Sequence, residues 1–315
     1  MTKKPCLAVI VPCYNEEAVL PETLSRMEKK LNDLINMNII DESSRIYFVD
    51  DGSQDKTWSL IKAAVEQKDL IRGIKLSRNY GHQNALLAGL FNANGDVFIS
   101  IDADLQDDIN VFDDMLHHHA NGAQIVYGVR SERKKDTFFK RFSAELFYNL
   151  LKFFGVDIIF NHADYRLMSS RAIQELKAFN EVNLFLRGMI PLLGFSYEIV
   201  EYKRTKRFAG ESKYPLLKMM ALAWNGLSSF SSIPLKMISW LGITVFFISV
   251  FMSFWVLFIK LFTGSAIPGW ASNVLPIFFL GGVQILSIGV IGEYLSKIYM
   301  EIKQRPRFII EKKIR

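Results

Sequence analysis

Two aspartates one residue apart, Asp102 and Asp104, open the stretch Asp102-Ala103-Asp104-Leu105-Gln106-Asp107, directly after the apolar run 97–101. On a chain that continues as a strand, positions i and i+2 project to one side. Two carboxylates buried together without a cation would repel, and one would take up a proton. A hard divalent ion, Mg2+ or Mn2+, resolves this by taking carboxylate and diphosphate oxygens as ligands, and the Gln106 amide oxygen is a further candidate ligand. Such an ion neutralises a leaving nucleoside diphosphate as a Lewis acid, so its departure needs no protein acid. Two more polar motifs stand in equivalent places. Pro12-Cys13-Tyr14-Asn15-Glu16 follows the run 7–11, and Asp50-Asp51-Gly52-Ser53-Gln54-Asp55-Lys56-Thr57 follows the run 45–49. Singly, each reads as a turn and a helix cap. Three of them, each at the end of a strand, are more than capping explains.

Those strands set the frame. Runs at 7–11, 45–49, 73–76, 97–101 and 125–127 are rich in Val, Ile, Phe and Tyr. They are too apolar for a sheet with one wet face, as buried parallel strands are. Helical stretches lie between them, at roughly 16–36, 55–67, 82–94 and 110–121, with Asn94-Gly95 and Asn121-Gly122 marking ends. Alternation of this kind predicts right-handed βαβ units and a doubly wound, mostly parallel, Rossmann-like α/β sheet. Ligands of such sheets bind beyond the carboxyl ends of the strands, where all three motifs fall.

The remainder of the 315 residues points to a membrane. Half the composition is hydrophobic, with 25 Phe, and the net charge is +6. Residues 134–155 carry Phe139, Phe142, Phe147, Leu150, Leu151 and Phe154 at helical spacing among Lys134, Lys135, Lys140, Arg141 and Lys152, the pattern of an interfacial helix. A second such segment runs from 214 to 233. Residues 237–259 hold no charge over 23 positions, and 263–292 none over 30. About 20 apolar helical residues cross a bilayer, so two spans are expected, joined as a hairpin. The basic residues lie at the outer ends, at Lys236 and after Lys297, with only Lys260 near the loop. The positive-inside rule then places the catalytic part and both termini in the cytoplasm. The expected layout is a catalytic domain over 1–212 that includes an interfacial helix at about 137–155. An interfacial helix over 213–234, two spans within 235–298 (about 236–260 and 270–294) and a basic tail over 299–315 follow. The charge serves anionic lipid headgroups and not nucleic acid. Cys6 and Cys13 are the only cysteines, on opposite faces of one strand, so neither a disulfide nor a metal-type spacing is read. The three residues His117, His118 and His119 read as a solvated helix end.

With Val129-Arg130 after Tyr127-Gly128 and with Arg207-Phe208-Ala209-Gly210-Glu211-Ser212-Lys213-Tyr214, these motifs resemble the family-2 glycosyltransferases of the dolichol-phosphate mannosyltransferase type. Asn161-His162-Ala163-Asp164-Tyr165-Arg166-Leu167, Asn183-Leu184-Phe185-Leu186-Arg187-Gly188 and the two spans bring the likeness nearest to the prophage bactoprenol glucosyltransferases, over nearly the whole chain. The resemblance implies that Pro12, Tyr14, Glu16 and Asp51 hold the nucleotide base and ribose, and that Gly81 lets the backbone approach the base. It implies that Asp102 meets ribose or diphosphate and that Asp104 and Gln106 hold the metal. Arg207 and Lys213 would clamp the donor diphosphate on a mobile loop. Relatives often have Lys at His82, which is given no role, and Pro where this chain has Asp108.

The acceptor implied by the resemblance is a polyprenyl phosphate. Its phosphate is already an anion at neutral pH and needs cations, not a catalytic base. Arginine is the favoured bidentate partner for phosphate. Arg130 and Arg141 flank the start of the amphipathic segment, where a membrane-embedded phosphate would arrive, and the resemblance points to the same two. Arg187 either faces the pocket or closes an ion pair. The expected reaction is a single in-line, inverting displacement, from UDP-glucose to undecaprenyl phosphate at a bacterial inner membrane, feeding O-antigen or cell-envelope glycosylation. UDP-N-acetylhexosamine, GDP-mannose and an aminoarabinose nucleotide are alternative donors. A non-catalytic lipid-binding or flippase-partner role is the alternative of another class. A homo-oligomer, a separate flippase and a downstream membrane glycosyltransferase are the expected protein partners.

Overall fold

The computed structural model describes residues 4–131, 162–181, 184–203, 233–262 and 270–315. The expected interfacial helix at 137–155 lies outside them, and so does 213–234 apart from its last two residues.

Eight strands form one sheet in the order β7-β5-β6-β4-β1-β2-β3-β8. Strands β1 (Leu7–Cys13), β2 (Arg45–Asp50), β3 (Ile71–Leu76) and β4 (Val97–Ser100) are mutually parallel, with β1 between β4 and β2. Helices α1 (Leu20–Asn36), α2 (Thr57–Gln67) and α3 (His82–Asn92) make the crossovers. After β4 come α4 (Val111–Ala120), β5 (Ile125–Arg130), β6 (His162–Ser169), α5 (Ser170–Ala178), α6 (Leu186–Leu192) and β7 (Tyr197–Tyr202). β6 runs antiparallel to both β4 and β5, while β7 is parallel to β5.

Both faces are covered. α1, α2 and α4 bury Leu24, Met27, Leu31, Ile61, Phe112 and Met115 against Val9, Val11, Phe48 and Ile99. On the other face α3, α5 and α6 bury Leu86, Leu87, Leu90, Ile173 and Met189 against Ile10, Val49 and Ile74. α3 lies so close to β1 that a Cβ on Gly89 would come within 2.2 Å of Ile10 Cγ2. Because both faces are dry, the central strands read as continuous apolar runs.

β1 and β4 part company early. β4 pairs with Leu7 to Ile10 only, whereas β2 follows β1 through to Cys13. β1 connects on one side to β2 and β3, and β4 lies on its other side, so a crevice opens between β1 and β4 where such sheets take ligands. Pro12, which has no N–H to give, sits in β1 beyond the reach of β4.

Two long helices follow, α7 (Ile233–Phe262) and α8 (Trp270–Ile302). They expose large apolar side chains, among them Trp240, Phe247, Phe254, Phe262, Ile285 and Ile302. Among the described residues one segment, Phe279–Ile302, meets the length and composition needed to cross a membrane. The chain then returns to the sheet. Residues 310–314, expected as part of a basic tail, form strand β8 (Ile310–Ile314), antiparallel to β3 at its edge. Arg307 donates to the Phe179 carbonyl, Ser77 N–H donates to Ile309 O at 3.0 Å, and Lys75 pairs with Glu311 at 2.9 Å. Phe308 and Ile310 pack on the α3 side of the core.

Candidate active site

The loops after β1, β2 and β3 are stitched to one another by the polar motifs. Ser53 Oγ accepts from Asn15 N–H at 3.0 Å, Thr57 Oγ1 from Glu16 N–H at 2.9 Å, and Asp55 from Glu17 N–H at 3.1 Å. In return Asn15 and Glu17 side chains accept from the N–H groups of Gln54 and Lys56. Asp51, 2% exposed, uses both carboxylate oxygens on the third loop, accepting from Tyr80 N–H at 2.7 Å and Gly81 N–H at 2.9 Å. Burial pushes the Asp51 carboxyl up, and those two N–H groups oppose it. Gly52 has φ +68°, and a Cβ there would meet the Arg78 carbonyl carbon at 2.4 Å and Asn79 N at 2.6 Å, so no other residue fits. Gly81 (φ +90°) has open space around it and starts α3. Tyr14 is exposed at this rim.

The loop after β4 is held from below. Thr23 Oγ1 of α1 donates to Ala103 O at 2.7 Å, and Ile101 N–H to Ile10 O at 3.1 Å. Leu105 is buried with φ +56°, a left-handed conformation uncommon for a branched side chain, and it marks a loop whose surroundings dictate its course. Asp104 Oδ1 accepts from Gln106 N–H at 3.2 Å. Among the described residues no three His, Cys, Asp or Glu side chains form a ready-made metal site. The donor set instead suits an ion that takes its remaining ligands from a substrate. Asp104 and Gln106 are close in sequence on a fixed loop, and Asp102 Oδ1 is buried with no hydrogen-bond partner. Mg2+ and Mn2+ are commonly bound in this way, by one or two carboxylates and phosphate oxygens.

Beside Asp102 stands a charge cluster that sequence reading missed. His82 Nε2 lies 3.4 Å from Asp102 Oδ1 and 3.6 Å from Asp164 Oδ2, within ion-pair reach but outside hydrogen-bond geometry. Asp164, on β6, also pairs with Arg187 of α6 at 3.3 Å and with Arg166. Arg166 is 1% exposed. Burial works against charge on His82, but Asp102 and Asp164 outweigh it and the imidazole is pushed up to about 9. Burial would raise Asp164, yet Arg187, His82 and Arg166 hold it well below the usual carboxylate range. Asp102 is pushed up by burial, with His82 opposing. Two carboxylates and three cations therefore share one wall of the crevice. Gln83, next to His82, accepts from Leu186 N–H at 3.0 Å and so ties α3 to the start of α6. The signal for His82 was present in the sequence, since it follows Gly81 at a strand's carboxyl end.

Arg130 ends β5 on the far side of the same loop. It donates to Asp107 at 3.1 Å and to Tyr202 Oη at 3.2 Å, and Tyr202 donates to Asp107 at 2.5 Å. Asp107 is 4% exposed and Arg130 is partly exposed, so a buried carboxylate aims a reachable guanidinium. Asp108 accepts from Asn110 and its carbonyl takes the Tyr165 hydroxyl, a loop-capping job. The structure thus brings Pro12, Tyr14, Glu16, Asp51, Gly81, Asp102, Asp104, Gln106 and Arg130 to one end of the sheet. Arg187 closes an ion pair. Arg141, Arg207 and Lys213 lie outside the described residues. His117, His118 and His119 sit at the end of α4; His119 bonds the Ala123 carbonyl and His117 the Asn121 amide.

The family model described as Glycosyl transferase family 2 matches residues 8–177, more than half of the chain. The chain belongs to glycosyl transferase family 2. This family-2 glycosyltransferase is 48% identical over 310 residues to the "Uncharacterized glycosyltransferase YkoT" of Bacillus subtilis (98% of this chain, 92% of the relative). It is 38% identical over 307 residues to the SfII prophage-derived bactoprenol glucosyl transferase of Shigella flexneri, with 97% of each chain covered. A prophage bactoprenol glucosyl transferase homolog of Escherichia coli is 36% identical over 307 residues (97% and 98%). Among solved structures, glucosyl-3-phosphoglycerate synthase from Mycobacterium tuberculosis, in complex with Mn2+, UDP and phosphoglyceric acid, gives a TM-score of 0.47 at 18% identity. That match covers 71% of this glycosyltransferase and 76% of the synthase.

Proposed function

We propose that this glycosyltransferase moves a hexose, glucose from UDP-glucose, onto undecaprenyl phosphate with inversion, at the cytoplasmic face of a bacterial inner membrane. One observation carries the reading. The Asp102-Ala103-Asp104-Leu105-Gln106-Asp107 loop, with its cation-ready carboxylates, is flanked at the same strand ends by Arg130, an arginine aimed by buried Asp107. The likeness to bactoprenol glucosyl transferases over nearly the whole chain supports the acceptor and the sugar. The long apolar helices α7 and α8, with Phe279–Ile302 long enough to span, support a two-span anchor.

In this mechanism the phosphate oxygen of the lipid attacks the anomeric carbon as the bond to the donor's diphosphate breaks. The attacking group is an anion already, so no side chain has to remove a proton. The stitched loops around Asp51, Gly81 and Tyr14 hold the nucleoside. Asp102 faces the ribose or diphosphate, and His82 offsets its charge. Arg130, with Arg141, receives the acceptor phosphate, and Arg207 and Lys213 close over the donor. A divalent cation on Asp104 and Gln106 would supply charge neutralisation of the departing diphosphate. The protein's contribution is placement and fixed charge.

The deciding experiment incubates the purified protein with undecaprenyl phosphate, Mg2+ or Mn2+, and radiolabelled UDP-glucose, UDP-N-acetylglucosamine or GDP-mannose. Label entering the lipid phase from UDP-glucose supports the full reading. Label from another donor alone moves the sugar assignment, and no label from any of them overturns the function.

A further inference from the structure

At the opposite end of the sheet from the site above, a groove of about 390 Å³ opens over the amino ends of β2 and β3 and the end of β8. Its walls carry four cations, Arg45, Arg72, Lys313 and Arg315, and no Asp or Glu side chain. Tyr47 sits opposite Arg72 in the β2–β3 register, and Lys313 opposite Ile74 in the β3–β8 register, so the cations come from neighbouring strands. Like charges gathered across strands destabilise a sheet unless something offsets them. The nearest offset is Asp69, which Arg45 meets at 2.9 Å and Arg72 at 3.2 Å, two guanidinium groups on one largely exposed carboxylate.

Both arginines are also held in place. Arg45 donates to the carbonyls of Glu42 and Ser44, and Arg72 to those of Asp69 and Ile71. Their side chains are only 19% and 16% exposed. Both guanidinium groups are ordered before any ligand arrives, which cuts the entropy cost of binding, and an anion would share them with Asp69 and these carbonyls. Lys313 is steadied by Asn92 Oδ1 at 2.7 Å. Asn94 lines the same groove, and its N–H donates to Tyr47 Oη at 3.2 Å. The volume falls in the range of small-molecule sites. Planar cationic forks in a small concave space match a phosphate group.

We propose that this groove is a second anion site, separate from the crevice at the carboxyl ends, that takes the phosphate of a small water-soluble molecule. Because Lys313 belongs to β8, an occupant would tie β8 to β2 and β3.

Cys6 lines the groove and is partly exposed, whereas Cys13 is buried, so Cys6 alkylation reports occupancy. The full-length protein in neutral detergent is treated with iodoacetamide while inorganic phosphate or uridine monophosphate is titrated. Competition of this kind slows alkylation by 1 + [L]/Kd, about sixfold at roughly five times Kd. The expected result is saturable slowing by either probe, kept in Asp104→Ala and lost in Arg72→Gln/Lys313→Gln. Should the double variant fail to fold, Lys313→Gln alone must raise the half-saturating phosphate concentration. Four outcomes overturn the proposal: no slowing by either probe, slowing undiminished in the groove variants, slowing abolished by Asp104→Ala, or slowing only by phosphatidylglycerol vesicles.

Discussion

Asp102, in the loop after β4, and Asp164, on the neighbouring antiparallel strand β6, face a single imidazole, His82, at 3.4 and 3.6 Å. The crevice wall is therefore a salt cluster of both signs and not a bare acidic pair.

That cluster has a pH signature. Asp102 and Asp164 push the His82 imidazole up to about 9 against its burial, from its ordinary value near 6.5. A raised folded value contributes stability that is fully present below about pH 6.5 and lost as pH rises through about 9. In metal-free protein, the stability difference between wild type and His82→Gln should be largest at pH 6 and shrink towards pH 9.5. Urea unfolding across that range checks it, and a difference that grows with pH would contradict it.

Arg166 is buried and shares Asp164 with His82 and Arg187. Removing one partner of a buried pair strands the other charge at a cost of about 3–5 kcal/mol, while an apolar replacement of both is often near neutral. Asp164→Ala should fall in that range by denaturant unfolding, and Asp164→Leu/Arg166→Met should recover most of the loss. Additive losses in the double variant would count against the coupling.

Gly52 turns where the loop after β2 touches the backbone after β3. Gly52→Ala combines a left-handed φ with a backbone collision and should cost about 2–4 kcal/mol. A change in melting temperature too small for that loss would show that the loops can separate.

Tyr202 helps Asp107 to aim Arg130. Tyr202→Phe removes two hydrogen bonds at the edge of the site, worth about 1 kcal/mol in net terms. On the proposed mechanism this raises KM for undecaprenyl phosphate about fivefold, leaving KM for the nucleotide sugar unchanged. A shift in the donor KM alone would move Arg130 to the donor side.

Asp104→Ala should lower transfer by about two to three orders of magnitude, the scale on which removal of one charge-stabilising group acts. Lipid-phase label measures it. Activity within tenfold of wild type would remove Asp104 from the proposed metal site.

The parallel half of the sheet was legible because strands dry on both faces are plain apolar runs, as in β1 and β4. β6 was not, since Asp164 and Arg166 make His162–Ser169 look like a loop. Their burial is tolerated because they pair with each other and Asp164 also meets Arg187 of α6 and His82 of α3, contacts between separate elements that no local pattern reveals. β8 carries three charged residues in five at a sheet edge, where charge is the usual protection, and so it reads as a tail. Within the site, motif positions were legible but their work was not. Ser53 and Asp55 suggested caps of their own helix, yet Ser53, like Thr57, accepts an N–H of the β1 loop, and Asp55 serves both that loop and Thr57.

β8 also fixes an order of events during synthesis. The sheet's β3 edge is closed by residues that leave the ribosome after both long apolar helices. Until then β3 presents an open row of backbone donors and acceptors, the kind of edge that invites wrong partners. Completion of the catalytic sheet thus waits for both long helices to be made, and a chain cut short there is left with an unsealed seam.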